Sequence, residues 1–449
     1  MDNIKVKLFI IPVLLLLLTG QWLFAQGNSE ELKLSLKEAQ EYASQNNKMV
    51  KSAKLTVQGS QKDVWTTISS GLPQVSADAT LTDNLKLGVF VMTMNDPATG
   101  VSQTMVITMG MKYSIPVTAT ASMPLFNAPY YVGIETVKLA RKLSESGLKS
   151  TEIDTRQSVA SAYYLILVSE ESLRILKENI SNLQETLKST RAMYNSGLAE
   201  ATDVDQMASN VTMVENSFSN LQNNIEINYN LLRLQLGVKA DTKVTLTETL
   251  DDLVKEINVD ALLSQEFNYT GNIQYNLVEM QEQLSALNLK SQKAKTLPSL
   301  SGFYSYSKSG MGMNFSDMEW YPSSYLGMQL SVPIFASGQR YANIQKAKIE
   351  LEKARNTKEM VSDQLNMQDK QLRYNLENAN LQYKSQKDNV EVSKRVYSSM
   401  ENKYKQGMAS SLDLTQANNL YLQAENNYIS SLLNLLQTKL EFDKLLNNM

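Results

Sequence analysis

Residues 194–204 read YNSGLAEATDV, and residues 404–414 read YKQGMASSLDL. Each has a tyrosine, a glycine three positions on, a run of small residues, and an aspartate six positions beyond the glycine. Around both stretches, apolar residues recur in alternating steps of three and four. Leu173, Leu176, Ile180, Leu183, Leu187, Thr190 and Tyr194 approach the first turn; Val204, Met207, Val211, Val214, Phe218, Leu221 and Ile225 leave it. In the second copy the row is Tyr383, Val390, Tyr397, Met400, Tyr404, then Leu414, Ala417, Tyr421, Ala424, Tyr428 and Leu435. A seven-residue period specifies helices packed as a coiled coil. Each quoted turn is therefore expected to be the tip of an antiparallel helical hairpin. Gly197 and Gly407 supply the left-handed backbone that ends the ascending helix. Thr202 and Ser411 are placed to cap the returning helix, with Asp203 and Asp413 near the positive end of its dipole.

Working outward, further matches follow in the same order. Met123-Pro124-Leu125-Phe126 pairs with Val332-Pro333-Ile334-Phe335, and Leu72-Pro73 with Leu297-Pro298. Ser35-Leu36-Lys37-Glu38-Ala39 opens the first half with a capping box, while its counterpart near Asp260–Leu277 is eroded. This is one tandem duplication, far longer than a solenoid repeat. It predicts a first unit over 26–237, a linker over 238–259 and a second unit over 260–449. Helical segments are expected from Ser35 to about Ser69 and from about Asp260 to Lys295, each stopped by the Leu-Pro pair. The long helical hairpins are expected over about 128–237 and 338–447. Their ascending arms, from about Ala128 to Tyr194 and Gly338 to Tyr404, would each be on the order of 100 Å long.

Between helix and hairpin the period changes to two. Met111, Tyr113, Ile115, Val117, Ala119, Ala121 and Met123 alternate with polar residues, as do Val75, Ala77, Ala79 and Leu81. In the second half Leu326, Met328, Leu330 and Val332 repeat the pattern, and Leu300, Gly302, Tyr304 and Tyr306 more weakly. Such alternation marks strands with one apolar and one polar face. The prediction is two β-hairpins, over about 73–123 and 298–333, with Gly-, Asn-, Asp- and Pro-containing loops at 84–110 and 307–322. Pro124 and Pro333 mark the change from strand to helix. Trp320, Tyr321 and Tyr325 are candidates for a membrane interface.

Composition narrows the chemistry. The chain has 449 residues, no Cys, no His and a net charge of −3. Thiolate nucleophiles, disulfides and His-based relays are excluded, no basic stripe suits nucleic acid, and no carboxylate spacing asks for a metal or cofactor. The segment MDNIKVKLFIIPVLLLLLTGQWLFAQ has early lysines, an apolar run from Leu8 to Leu18, and Ala25 before Gln26. It reads as a secretory signal peptide over 1–25, the alternative being an uncleaved inner-membrane anchor.

Four amphipathic strands cannot close a barrel, and open edges are not tolerated in lipid. The strands must be shared among copies: a homotrimer brings twelve strands and twelve helical strokes. The fold class is thus mainly α with a β-barrel part, a duplicated unit of coiled-coil hairpins and four strands per chain. The trimer would form a twelve-stranded outer-membrane barrel continuous with a periplasmic α-helical tunnel. A non-pore periplasmic or surface coiled-coil scaffold is the competing reading.

LSLKEAQEYASQNN at 34–47, LPQVSADA and LPSLSGFY, the MPLF and VPIF junctions, and the two glycine turns together resemble the TolC-like outer-membrane efflux proteins. The resemblance covers essentially the whole chain beyond residue 26. It implies an outer-membrane channel-tunnel of a tripartite efflux or type I secretion system, not an enzyme. Implied partners are a periplasmic adaptor (membrane fusion protein) and an inner-membrane pump of RND, ABC or MFS type, with outer-membrane lipid around the barrel. It further implies adaptor contact at the tips around Tyr194, Gly197, Tyr404 and Gly407. The periplasmic entrance would be narrowed just past the second turn, at Asp413, with Asp203 its match in the first. Where well-studied members carry a second acid this chain has Gln416, and Ala409 stands where some carry a basic latch.

Overall fold

The computed structural model describes residues 31–95, 100, 102–255 and 257–449. The expected signal peptide lies outside the described residues. Elements follow in chain order: β1 (Leu32–Leu34), α1 (Leu36–Asn46), α2 (Lys48–Ser69), β2 (Gln74–Ala79), β3 (Thr82–Asp83), β4 (Gly88–Asn95), β5 (Ser102–Met109), β6 (Tyr113–Phe126), α3 (Ala128–Asn195), α4 (Ala201–Leu236), β7 (Val244–Leu246), α5 (Leu250–Lys255), α6 (Val259–Leu263), α7 (Ile273–Ala294), β8 (Ser299–Gly312), β9 (Glu319–Ser331), α8 (Gln339–Lys405) and α9 (Ser411–Leu445).

The expected capping box is present: Ser35 N–H donates to Glu38 Oε2 at 2.8 Å and Glu38 N–H to Ser35 Oγ at 3.3 Å. The helix expected from Ser35 to Ser69 is broken at Asn47, whose ψ of 135° is extended. Asn47 Oδ1 caps α2 by accepting from Met49 N–H at 2.7 Å, and its Nδ2 donates 2.7 Å to the carbonyl of Gln235 at the end of α4. The helix expected from Asp260 is likewise interrupted, by a 3-10 turn at Tyr269–Gly271. Asn272 then starts α7, accepting from Gln274 N–H at 2.9 Å and donating 3.1 Å to the carbonyl of Leu445 at the end of α9. Both asparagines are 4 % exposed. Asn272 is thus the second-half match of Asn47, equally far ahead of its Leu-Pro pair.

One sheet runs β2-β6-β8-β9, all antiparallel, with β3 also pairing with β6. Each strand runs into, or out of, one long helical element, and those helices pack in the same order, α2-α3-α7-α8. Beyond the midpoint α2 and α7 have ended, and the order is α4-α3-α9-α8. α3 has 68 residues and α8 has 67, so each spans roughly 100 Å at ~1.5 Å per residue. The start of the first unit pairs with the linker in a small sheet, β1 with β7 in parallel. Beneath it lies the main core, including Tyr163, Ile166, Leu232, Leu236 and Leu436. Tyr163 is fully buried and donates to the carbonyl of Leu34 at 3.2 Å, and burial pushes its hydroxyl up to about 12.

The loops expected at 84–110 and 307–322 are mostly strand. β4 and β5 form an eight-pair hairpin inside the first, and β8 and β9 continue until only 313–318 separates them. In the first stretch the strands are rich in Val, Met and Thr, with Asn84, Gly100 and Gly110 outside them; in the second, cross-strand pairing carries Gly310, Gly312 and Pro322 within β8 and β9. Pro124 sits at a register shift between Pro124 and Phe126 in β6; Pro333 lies in the connection to α8, its carbonyl accepting from Arg340 at 2.7 Å.

In-phase pairing sorts the sheet into two faces. One carries Val75, Ala77, Val117, Ala119, Met123, Tyr304, Tyr306, Leu326, Met328 and Leu330. The other carries hydroxyls, with Thr118 and Ser307 at 3.0 Å and Thr120 and Ser305 at 3.3 Å. Trp320 is on the apolar face, in register with Gly310, but Tyr321 and Tyr325 point to the opposite one. Two of the three aromatic residues expected at a membrane interface are thus on the polar side, and Tyr304 and Tyr306 hold the apolar positions instead. The period of two assigns them so.

Candidate functional site: the paired hairpin tips

Both turns close the same way. Gly197 (φ 77°) and Gly407 (φ 72°) adopt the left-handed conformation. Leu198 N–H donates to the carbonyl of Met193, and Met408 N–H to that of Lys403, both at 2.8 Å. This six-to-one bond satisfies a carbonyl that the helix end leaves free. Its geometry places Leu198 and Met408 outward, 81 % and 66 % exposed.

The caps differ from the expected ones. α4 starts from Glu200 and α9 from Ser410, so Thr202 and Ser411 lie inside the first turn. Asp203 and Asp413 are the reciprocal members of capping boxes. Asp413 Oδ2 accepts from Ser410 N–H at 3.1 Å and from Ser410 Oγ at 2.7 Å; Asp203 Oδ2 accepts from Glu200 N–H at 3.0 Å. The serine hydroxyls differ in target. Ser410 bonds within its own turn, whereas Ser411 Oγ crosses to Asp203 Oδ1 in the other hairpin. Hydrogen bonding to Ser411 holds the Asp203 carboxyl below the usual carboxylate range, and bonding to Ser410 does the same for Asp413. Both are anions at neutral pH. Asp413 and Gln416 are exposed, and Asp203 is half-buried against its neighbour.

Three more polar pairs hold the hairpins together. Tyr404 OH and Thr190 Oγ1 lie 2.7 Å apart, Asn179 Nδ2 donates 2.7 Å to Asn418 Oδ1, and Asn210 Nδ2 donates 2.7 Å to Thr415 Oγ1. Tyr404 is buried, but its repeat counterpart Tyr194 is 47 % exposed. Tyr404 is covered because it packs with Tyr397, Leu414 and Ala417 and reaches across to Thr190; in the helix order α9 is flanked by α3 and α8, while α4 is an outer helix. Accordingly α9 buries residues on two sides, among them Leu414, Asn418, Leu432 and Leu435, whereas α4 buries a narrow row of Met207, Val211, Val214 and Ile225. Asn179, Asn210, Thr415 and Asn418 were not singled out in sequence. Each lies one position off its hairpin's heptad row, beside Ile180, Val211, Leu414 and Ala417, so the row that marks packing within a hairpin gave no signal for contacts between hairpins; of the contact residues named here Thr190 and Tyr404 lie on a row.

Nothing at the tips resembles a reaction centre. Among the described residues no group of three or more acidic side chains could hold a metal ion. No described helix is long and apolar enough to cross a membrane. What the arrangement offers is a pair of joined helical tips with exposed apolar residues and anionic first turns.

Comparison with known proteins gives a consistent picture. The family model described as outer membrane efflux protein matches residues 40–238 and 277–448. A probable efflux pump outer membrane protein, TtgC of Pseudomonas putida, is 25 % identical over 323 residues, covering 68 % of this chain and 62 % of that relative. The antibiotic efflux pump outer membrane protein ArpC of Pseudomonas putida matches to the same extent. The chain thus spans about 62 % of the length of these relatives. Among solved structures, the outer membrane protein VceC of Vibrio cholerae superposes with a TM-score of 0.70 at 14 % identity, over 92 % of this chain and 95 % of VceC. The CmeC outer membrane channel of Campylobacter jejuni does so with a TM-score of 0.70 at 17 % identity, over 92 % and 85 %. At these identities the likeness concerns the fold.

Proposed function

The chain belongs to the outer membrane efflux protein family, and from that premise we propose that three copies close into one passive export duct. Twelve strands form a barrel in the outer membrane, and the helices continue it as a tube into the periplasm. The observation that carries this reading is the open sheet. Its outer strands β2 and β9 each have one unpaired edge within the chain, and its apolar face is uncovered, with Leu326, Met328 and Leu330 at 82 %, 73 % and 64 % exposed. Unpaired strand edges and an apolar face are untenable in water but are satisfied by lipid outside and a neighbouring copy at each edge. A soluble scaffold has no use for such a face.

The opposite, hydroxyl-bearing face lines the water path. At the far end the tips around Tyr194, Gly197, Tyr404 and Gly407 meet a periplasmic adaptor, with Leu198, Met408 and Leu412 offering apolar contacts, and an inner-membrane pump supplies the cargo. Efflux is the task that the names of the two Pseudomonas putida relatives print. A signal peptide over 1–25 accounts for delivery to the outer membrane.

Asp413 acts at the periplasmic entrance. Its repeat counterpart Asp203 is occupied by Ser411, but the residue matching Ser411 in the first turn is Ala201, which has no donor to offer. A neighbouring copy therefore cannot engage Asp413 by the same contact. Three such carboxylates around a narrow axis favour cations, with Gln416 one turn further along the wall. Detergent-extracted protein reconstituted in planar bilayers should give discrete conductance steps; a monomer soluble without detergent and electrically silent would refute the duct.

A further inference from the structure

The β4–β5 hairpin belongs to only one of the two repeats, since β8 and β9 are joined directly by 313–318. It projects past the end of the main sheet, where β3 pairs with β6 through Asp83 and Tyr113. Its register sets Met92 directly opposite Met105, Phe90 opposite Ile107, and Met109 opposite Gly88. Opposed residues of an antiparallel pair share a face, as do alternate residues along each strand. Met92, Met94, Met105 and Met109 therefore lie on one face with Phe90 and Ile107. The other face carries Val89, Val91, Thr93, Thr104, Val106 and Thr108, with no methionine. Apolar packing alone does not call for this segregation, because valine serves on the opposite face.

The four methionines are 40 %, 58 %, 53 % and 59 % exposed in that order, so their thioethers are accessible. Opposed residues have Cβ atoms about 4.5–5.5 Å apart, and a residue two along is the diagonal neighbour within reach of a long side chain. Met92, Met94 and Met105 thus occupy three corners of one square. Two rotatable bonds place the methionine sulfur on its unbranched chain, enough for the three sulfurs to converge. Thioethers are soft, neutral donors that select Cu(I)-type ions over hard cations. No Cys or His competes anywhere in the chain, and β4 and β5 contain no Asp or Glu to attract a hard ion.

We propose that Met92, Met94 and Met105 form a three-thioether site for a soft monovalent cation, Cu(I) or Ag(I). The assignment rests on strand register and donor chemistry and does not depend on the duct reading. Silver nitrate is the probe, added in chloride-free buffer to the full chain purified in detergent. Hydrogen peroxide then oxidises accessible methionines to sulfoxides, read peptide by peptide by mass spectrometry. Silver should slow oxidation at Met92, Met94 and Met105 by at least about tenfold, because a coordinated sulfur lone pair is blocked. Met360 and Met367, exposed on α8, should oxidise at an unchanged rate. Equal slowing at all five, or none at the first three, overturns the site. In the M92L/M94L/M105L variant, apolar volume is retained and silver binding should weaken by at least about tenfold. Binding equal to that of the unmodified protein also overturns it. The oxidation pattern decides the matter even if that variant fails to fold.

Discussion

Tyr404 and Thr190, one from each hairpin, share a buried contact of 2.7 Å between residues 214 positions apart. The Thr190 hydroxyl already donates to the carbonyl of Thr186 at 2.9 Å, so the Tyr404 hydroxyl is the donor to Thr190 Oγ1. Tyr397, two turns earlier on the same face, stacks on Tyr421 at 5.7 Å, and its buried hydroxyl has no partner among the described residues. Burial accordingly pushes that hydroxyl up to about 12.

These two tyrosines should respond oppositely to loss of the oxygen. Y404F removes a bond and is expected to cost about 1 kcal/mol, whereas Y397F removes an unsatisfied polar atom and should be neutral or slightly stabilising. Denaturant unfolding of both variants checks this. A double-mutant cycle of Y404F with T190V should give a coupling of about 0.5–1.5 kcal/mol; zero coupling would mean that the contact does not hold the hairpins.

For Asp413, substitution by asparagine preserves an acceptor for the Ser410 donors and removes the charge. D413N should therefore fold normally yet lose cation preference and sensitivity to multivalent-cation block in single-channel recordings. D203N, whose carboxylate is engaged by Ser411, should change selectivity much less. Unchanged selectivity in D413N would confine Asp413 to capping.

Glu425 provides a pH signature. It is buried on α9, and burial holds its carboxyl above the usual range, opposed by the Tyr421 hydroxyl bond and by Lys394. Glu171 reinforces the upward shift and Arg174 opposes it. Folding therefore takes up a proton at this site. The stabilisation is complete below the ordinary carboxylate pKa and is lost as pH rises through the higher native value. E425Q should melt higher than the unmodified protein, by a margin that widens as pH rises above the ordinary carboxylate range. A margin independent of pH would rule out this carboxyl as the source.

The buried asparagines at the midpoint should be equally critical. N47A and N272A each remove an N-cap and a donor to the end of the returning helix, at a cost of about 1–3 kcal/mol apiece. Serine at either position restores the cap alone and should recover only part of the loss. A substitution that left thermal unfolding unchanged would show the joint to be incidental.

Much of this architecture was legible because it rests on local periodicity. Leu183, Met207, Val211, Tyr397 and Leu414 lie in the heptad rows and are all buried. The left-handed backbone at Gly197 and Gly407 followed from position alone. Turn composition was a poorer guide: in 84–110 the turn formers flank β4 and β5, whose interiors are β-branched and methionine-rich, and in 307–322 Gly310, Gly312 and Pro322 lie within β8 and β9 because cross-strand pairing outweighs local preference. The caps were misplaced by one or two residues for a similar reason. Ser410 and Ser411 are equivalent as hydroxyls, and only backbone geometry decides which one faces its own turn.

The sequence by itself determined the duplication, the hairpin tips, and the alternation that gives the sheet one apolar and one polar face. The tips and the alternation depend on residues near one another along the chain, and the duplication on two copies of such local patterns. Tertiary structure alone decided that α9 is enclosed while α4 is an edge, that Tyr404 is buried while Tyr194 is not, and that Asp203 is engaged while Asp413 is left exposed. Two repeats of nearly one pattern carry no local mark of which will lie inside. That inequality arises only when the hairpins pack in the order α4-α3-α9-α8 and expose different flanks.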